Sequence, residues 1–137
     1  MALFSCAGVR PEGLGVKNGR LAICPSKPNC VSSDDAGAHA VAPFQLAVSS
    51  ADAWSMARAA VTALPRTKII MQTDDYLHAE CSSAIFGFVD DLELHLRPDK
   101  NAIAVRSAAR LGYSDLGVNR RHVENLRKVL RERSVIR

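Results

Sequence analysis

The sequence predicts one α+β domain with an antiparallel sheet of four to five strands, two helices packed on one face, and an irregular N-terminal arm. Three observations predict it. A chain of 137 residues has the length of one domain. Four strand-like segments follow one another through short connections, which favour antiparallel neighbours. A segment with apolar residues at helical spacing lies on each side of them, so the expected order is β-α-β4-α.

Residues 1–43 are predicted to be an arm that wraps the domain formed by residues 44–137. Glycine and proline recur throughout this segment, so neither a helical nor a strand period is sustained. Within it, the stretch "RLAIC" (20–24) is the best suited to a short strand. We therefore treat the whole chain as a single domain.

The ordered part begins with "FQLAV" (44–48), whose alternation predicts a strand. Ser49 or Ser50 is then suited to cap a helix. One apolar stripe of this helix contains Trp54, Ala57, Val61 and Leu64. Pro65 ends the helix because proline disfavours the helical conformation in the residue before it.

Four strands are predicted next, at residues 68–74, 76–83, 85–97 and 102–110. Gly87 interrupts the third strand and indicates a bulge or a close approach by the arm. The chain closes with a second helix, for which Asn119 is the expected cap. Its apolar face consists of Val123, Leu126, Val129 and Leu130.

The strand period of two predicts which polar side chains share the sheet face opposite the helices. They are His78, Glu80, Asp91, Glu93, His95 and Arg106. Among them His78, Glu80 and Asp91 form a second candidate site, since imidazole and carboxylates can bind a cation or transfer protons. The alternative is a hydrated face whose charges pair across strands. No HExxH motif or tight histidine cluster occurs, so we predict no metal and no cofactor.

The stretch "RSAARLGYSDLGVNRR" (106–121) is the main candidate binding site, because it concentrates basic and polar residues between a strand and a helix. A helix N-terminus attracts anions, and guanidinium groups bind carboxylate or phosphate at two points. The predicted ligand-binding residues are Arg106, Arg110, Tyr113, Ser114, Asp115, Asn119 and Arg121. The alternative is that Asp115 pairs internally with a neighbouring arginine while Asn119 only caps the helix.

Cys24 and Cys30 are predicted to be structural. Their spacing is longer than that of a metal clip, and it excludes a C-x2-C redox pair. A loop-closing disulfide would suit an exported protein, whereas in a reducing compartment both would be small buried thiols. A nucleophilic role for Cys30, with His39 or His78 as base, stays open.

The start of the chain and its charge distribution indicate where the protein could be located and what it could bind. Cys6 follows a short apolar stretch that is similar to the end of a lipoprotein signal, so exported, periplasmic and cytoplasmic locations all stay open. The last 18 residues carry seven basic and two acidic side chains. A membrane surface is therefore one candidate partner, while the few aromatic residues disfavour nucleic acid. No apolar run reaches the roughly 18 residues of a transmembrane segment.

Three segments together carry a family resemblance, namely "LGVKNGRLAICPSKPNCVSS" (14–33), "FGFVDD" (86–91) and "RSAARLGYSDLGVNRRHVENLR" (106–127). They resemble the hallmark segments of the bacterial and plastid domain-of-unknown-function family numbered 1499. The opening "CAGVRP" (6–11) is similar to the start of its exported or lipoprotein-like members. The resemblance implies no settled activity.

The function predicted from these features is a non-catalytic binding or scaffold domain that holds a small anionic ligand, or a protein partner, near the loop 113–119. One alternative is a hydrolase-like enzyme that uses Cys30 or the histidine and carboxylates of the second site. Another is a peripheral envelope protein whose basic last helix contacts lipid or a partner.

Overall fold

The computed structural model describes residues 8–84 and 86–137, so the predicted lipoprotein-like start at Cys6 lies outside the described residues. The α-helices of these residues are α1 (Ser50–Thr62) and α2 (Val118–Glu132). The strands in the described part of the chain are β1 (Val16–Lys17), β2 (Arg20–Leu21), β3 (Cys30–Ser32), β4 (Phe44–Gln45), β5 (Thr67–Gln72), β6 (Tyr76–Ser82), β7 (Val89–Arg97) and β8 (Ala102–Ala109).

Six strands form one antiparallel sheet in the order β3-β8-β7-β6-β5, with β4 also paired to β8. Strands β1 and β2 form a separate hairpin. The α+β class and the antiparallel sheet are confirmed. The predicted four to five strands are too few, and the order β-α-β4-α is not confirmed, because β1, β2 and β3 of the arm precede β4. Such short strands are difficult to predict because two or three residues show no period.

Both helices pack on the same face of the sheet. Ser49 caps α1, since the backbone N–H of Asp52 donates to its hydroxyl at 3.2 Å. Apolar residues of both helices share one core with the inward side chains of the central strands. This core includes Trp54, Ala57, Val61, Leu77, Leu92, Leu94, Ile103, Val105, Val123, Leu126 and Leu130. Neither α1 nor α2, the two α-helices of the described residues, has the length and apolar character needed to cross a membrane.

The arm crosses the opposite face of the sheet. Leu21 packs there against Tyr76 and Ala104, and the backbone N–H of Gly15 donates to Glu93 at 2.8 Å. The side chains of Glu93 and Asp91 are 0% and 1% exposed. The predicted hydration of this face is therefore wrong in its central part, which the arm buries, whereas the predicted pairing of charges across strands is present.

The connection between β6 and β7 is a hairpin loop rather than the beginning of the long strand predicted for 85–97. Ser82 pairs with Val89, and the backbone N–H of Ser83 donates to the Phe88 carbonyl at 2.8 Å. Gly87 has a φ of 67°, which suits glycine, and a Cβ there would meet nothing within 4 Å. The predicted bulge and the predicted approach of the arm at Gly87 are thus both wrong.

Candidate functional site

The second candidate site is built on three neighbouring strands. Tight pairing of β6 with β7, and of β7 with β8, brings Glu80 opposite Asp91, with Arg110 just beyond the end of β8. The Arg110 guanidinium donates to both oxygens of Asp91 at 2.8 and 2.7 Å. It also donates to Glu80, whose carboxylate accepts a further bond at 2.7 Å from Arg10 of the arm.

This arrangement fixes the charge of both acids. Burial alone would raise the pKa of Asp91, but hydrogen bonds from Arg110 and His78 outweigh it and hold that pKa below its ordinary value. Burial is likewise outweighed at Glu80, whose pKa is lowered by hydrogen bonds from Arg110 and Arg10. The hydrogen bond with Asp91 in turn raises the pKa of Arg110 against the opposing effect of its burial.

The same cluster contains a histidine. His78 Nε2 lies 2.7 Å from Asp91 Oδ1, and the ring is 6% exposed. His78, Glu80 and Asp91 each place one potential ligand atom within 4.8 Å of the others. A metal ion would have to compete with Arg110, because the guanidinium already uses the same carboxylate oxygens. The cluster therefore acts first as an internal ion network that binds the arm to the sheet.

Arg106 belongs to a second internal network beside this one. Its Nη1 lies 3.4 Å from Glu93, and its Nε donates to the Ala22 carbonyl of the arm at 2.9 Å. Glu93 also accepts a bond from the Tyr76 hydroxyl at 2.6 Å. Burial and this carboxylate raise the pKa of Tyr76. The structure thus places Arg106 and Arg110 among buried acids and not at a common opening.

Cys24 and Cys30 of the arm form a disulfide with an S–S distance of 2.06 Å. Cys30 lies on β3 opposite Ala108 of β8, so the bridged loop is attached to the edge of the sheet. In this form Cys30 has no thiol to act as a nucleophile. The described residues contain one free cysteine, Cys81, and burial raises the pKa of its thiol.

The loop before α2 is ordered by Asp115. Its carboxylate accepts from the backbone N–H of Gly117 at 2.7 Å and of Asn119 at 3.0 Å. Burial is outweighed by the hydrogen bonds from Asn119 and Gly117, which lower the pKa of Asp115. The prediction that Asn119 caps the helix is wrong, because Asn119 is buried and accepts from the Ser107 hydroxyl at 2.6 Å. Asp115 thus already supplies an anion to the helix N-terminus.

A cleft of about 470 Å³ opens between this loop, the disulfide loop and the turn at residues 37–39. Its lining contains three of the predicted ligand-binding residues, Tyr113, Ser114 and Asp115. The other four, Arg106, Arg110, Asn119 and Arg121, are not part of it. The remaining lining residues are Ser26, Pro28, Cys30, Val31, Ala38, His39, Gly117 and Arg120.

Arg120 supplies the cleft with a positive charge. Its guanidinium donates to the carbonyls of Ala38 at 2.7 Å and Ala40 at 3.0 Å. Within residues 8–84 and 86–137 it forms no ion pair with a carboxylate. Arg121, one position further along the helix, donates instead to the Leu116 carbonyl at 3.1 Å. Successive helical residues point about 100° apart, so a helical projection would have separated the two arginines.

His39 lines the cleft beside Cys30, the cysteine for which the sequence offered His39 or His78 as a base. Its Nδ1 donates to the Cys30 carbonyl at 2.9 Å, so the ring is fixed at the cleft wall. It is 81 residues away from Arg120 in the chain, and only the path of the arm brings the two together. The local sequence around His39 contains no motif that would place it in the same cleft as Arg120.

A sequence model of a protein family matches residues 20–130, which span the disulfide loop, the sheet and most of α2. The chain belongs to the family described as Protein of unknown function (DUF1499). The match confirms the predicted family resemblance of this DUF1499 chain. Neither a curated protein nor a solved structure matches it.

Proposed function

We propose that this DUF1499 chain is a non-catalytic binding domain that holds a small anionic ligand in the cleft beside the disulfide loop. The observation that carries the proposal is the position of Arg120. Its guanidinium lines the cleft but is held by two backbone carbonyls, so the positive charge has no acidic partner among the described residues. A carboxylate or phosphate group would supply that partner.

The other walls suit an oxygen-rich group. Ser26, Tyr113 and Ser114 line the cleft, and each carries a hydroxyl that can donate to a ligand oxygen. Asp115 is an anion in the lining, but backbone N–H groups at the start of α2 offset part of its negative charge. Arg120 thus replaces Arg106 and Arg110 as the proposed anion-binding residue.

A binding role is favoured over catalysis because the groups best suited to chemistry are already engaged. Cys30 is bonded to Cys24, and the carboxylate of Asp91 is shared by His78 and Arg110. These last three side chains are at least nine-tenths buried. A substrate would have to displace the arm to reach them.

Isothermal titration calorimetry with inorganic phosphate and with small dicarboxylates tests the proposal. We expect binding that Arg120→Ala weakens about tenfold or more, since a hydrogen bond to a charged group contributes roughly 1.5–3 kcal/mol. Arg120→Lys keeps the charge and should retain part of the affinity. Arg133→Ala removes one charge from the other end of α2 and should bind as the native chain does. Absence of binding by every anion, or equal affinity for Arg120→Ala, would contradict the proposal.

A further inference from the structure

Two loops at one end of the sheet expose large apolar side chains next to each other. Phe86 and Phe88 of the β6–β7 loop are 62% and 45% exposed, with ring centroids 5.7 Å apart. Leu111 and Leu116, between β8 and α2, are 46% and 84% exposed. Phe88, Leu111 and Leu116 line one groove of about 300 Å³, whose deeper wall also contains Asp90 and Asp115. We call Phe86, Phe88, Leu111 and Leu116 the apolar loop patch.

The backbone holds these side chains outward. The N–H of Phe88 donates to the Ser83 hydroxyl at 3.0 Å, and the N–H of Leu116 donates to the Ser114 hydroxyl at 3.2 Å. Leu116 has a φ of 54°, a left-handed conformation that is unfavourable for leucine. The chain thus tolerates backbone strain at a leucine whose side chain gains almost no burial from it. Backbone strain at a leucine with an exposed side chain indicates that this leucine has a function other than stabilising the fold.

Basic side chains flank both loops. Arg66 donates to the Ser82 carbonyl at 3.2 Å beside the first loop, and Arg121 donates to the Leu116 carbonyl beside the second. Both arginines are exposed, and neither pairs with a carboxylate in the described part of the chain. Their charges are therefore available to a negatively charged surface.

We propose that the apolar loop patch docks onto the surface of an anionic lipid bilayer. The phenylalanine and leucine side chains enter the boundary between headgroups and acyl chains, while Arg66 and Arg121 contact lipid phosphates. Protruding apolar side chains flanked by Arg66 and Arg121 suit this boundary, because it has apolar acyl chains on one side and negatively charged headgroups on the other. The inference does not depend on ligand binding in the cleft, since it uses neither Arg120 nor His39.

Co-sedimentation of the chain with lipid vesicles tests the inference. We expect binding to vesicles that contain phosphatidylglycerol, weaker binding to phosphatidylcholine alone, and a decrease with added salt. The double variant Phe88→Ser/Leu116→Ser should lower the partition coefficient about tenfold or more, because two apolar side chains no longer enter the boundary. Arg66→Glu/Arg121→Glu should abolish the preference for phosphatidylglycerol.

Two variants provide matched controls. Ile23→Ser and Met71→Ser remove apolar side chains that are 79% and 55% exposed elsewhere on the domain. Both should partition as the native chain does, and all variants should keep the native urea midpoint. The inference is overturned by absence of vesicle binding, or by equal losses in the control variants. It is also overturned if the native chain self-associates without vesicles and Phe88→Ser/Leu116→Ser abolishes that association, because the patch would then bind a second copy.

Discussion

Arg110 binds Asp91 at two points, with N···O distances of 2.8 and 2.7 Å, in the layer between the sheet and the N-terminal arm. Through Glu80 the same guanidinium is connected to Arg10 of the arm. A single charge network therefore joins β6, β7, the end of β8 and the arm. This relationship explains why Arg110, although it lies in the predicted binding stretch 106–121, is not free to bind a ligand.

Removal of Arg110 should be strongly destabilising. Arg110→Ala leaves Asp91 buried without a compensating charge, and we expect the free energy of unfolding to fall by about 3–5 kcal/mol. Arg110→Lys retains the charge but loses the two-point contact, so its loss should be smaller. Urea unfolding followed by circular dichroism measures both. A loss within about 0.5 kcal/mol, as expected for the exposed Arg133→Ala, would show that the network contributes little.

Stability should decrease in acid. The pKa values of Asp34, Glu80 and Asp91 lie below their ordinary values, since ion-pair contacts outweigh burial. The unfolded chain therefore takes up more protons as the pH falls. The contribution of these three carboxylates to the free energy of unfolding is complete above their pKa values in the unfolded chain, about 4. It is lost as the pH falls through their lower pKa values in the folded chain.

Asp90 acts in the opposite direction because burial raises its pKa. Asp90 contributes most to the free energy of unfolding at low pH. This contribution is lost as the pH rises through the raised pKa of Asp90 in the folded chain. Asp90→Asn should thus make the acid-induced decrease steeper. Urea unfolding at a series of pH values from about 7 to about 3 measures both effects. An unfolding free energy that stays constant over this range would contradict the assignment.

The disulfide should stabilise the arm measurably. Cys24 and Cys30 are six residues apart, and closing so short a loop contributes about 2 kcal/mol through the unfolded chain. Addition of a reductant should lower the urea midpoint of the native chain. The same reductant should leave the midpoint of Cys24→Ala/Cys30→Ala unchanged. An unchanged midpoint for the native chain would be inconsistent with a bridge.

Asp115 should act as the cap of α2. Asp115→Ala removes the acceptor of two backbone N–H groups, and we expect a loss of about 1 kcal/mol of unfolding free energy. Asp115→Asn keeps an oxygen at the same place and should cost less. Thermal unfolding of the native chain, Asp115→Ala and Asp115→Asn measures these differences in stability. Equal stability of the alanine and native chains would mean that the N-terminus of α2 is satisfied in another way.

The side chains that share one face of the sheet were predictable, because the strand period of two does not depend on what covers that face. His78 and Glu80 of β6, with Asp91 and Glu93 of β7, do share the face opposite the helices. Their burial was not predictable. It depends on the arm, whose short strands contain no period and whose contacts reach across more than 70 residues, as from Gly15 to Glu93.

The candidate site was predictable only as a region. The loop of Tyr113 and Ser114 was identified from its density of polar residues, and it does line a cleft. The arginine that lines the cleft is determined by side-chain partners. Arg106 and Arg110 form ion pairs with acids on the sheet, whereas Arg120 donates to backbone carbonyls. Sequence spacing does not contain this information.

The most direct test of the central claim is an NMR titration of the isotope-labelled native chain with inorganic phosphate. We predict saturable shifts of the backbone amide signals of Ser114, Gly117 and Arg120, with little change at Arg106 and Arg110. Shifts confined to the last two residues, or no saturable shift at the cleft, would contradict the assignment of an anion-binding cleft beside the disulfide loop.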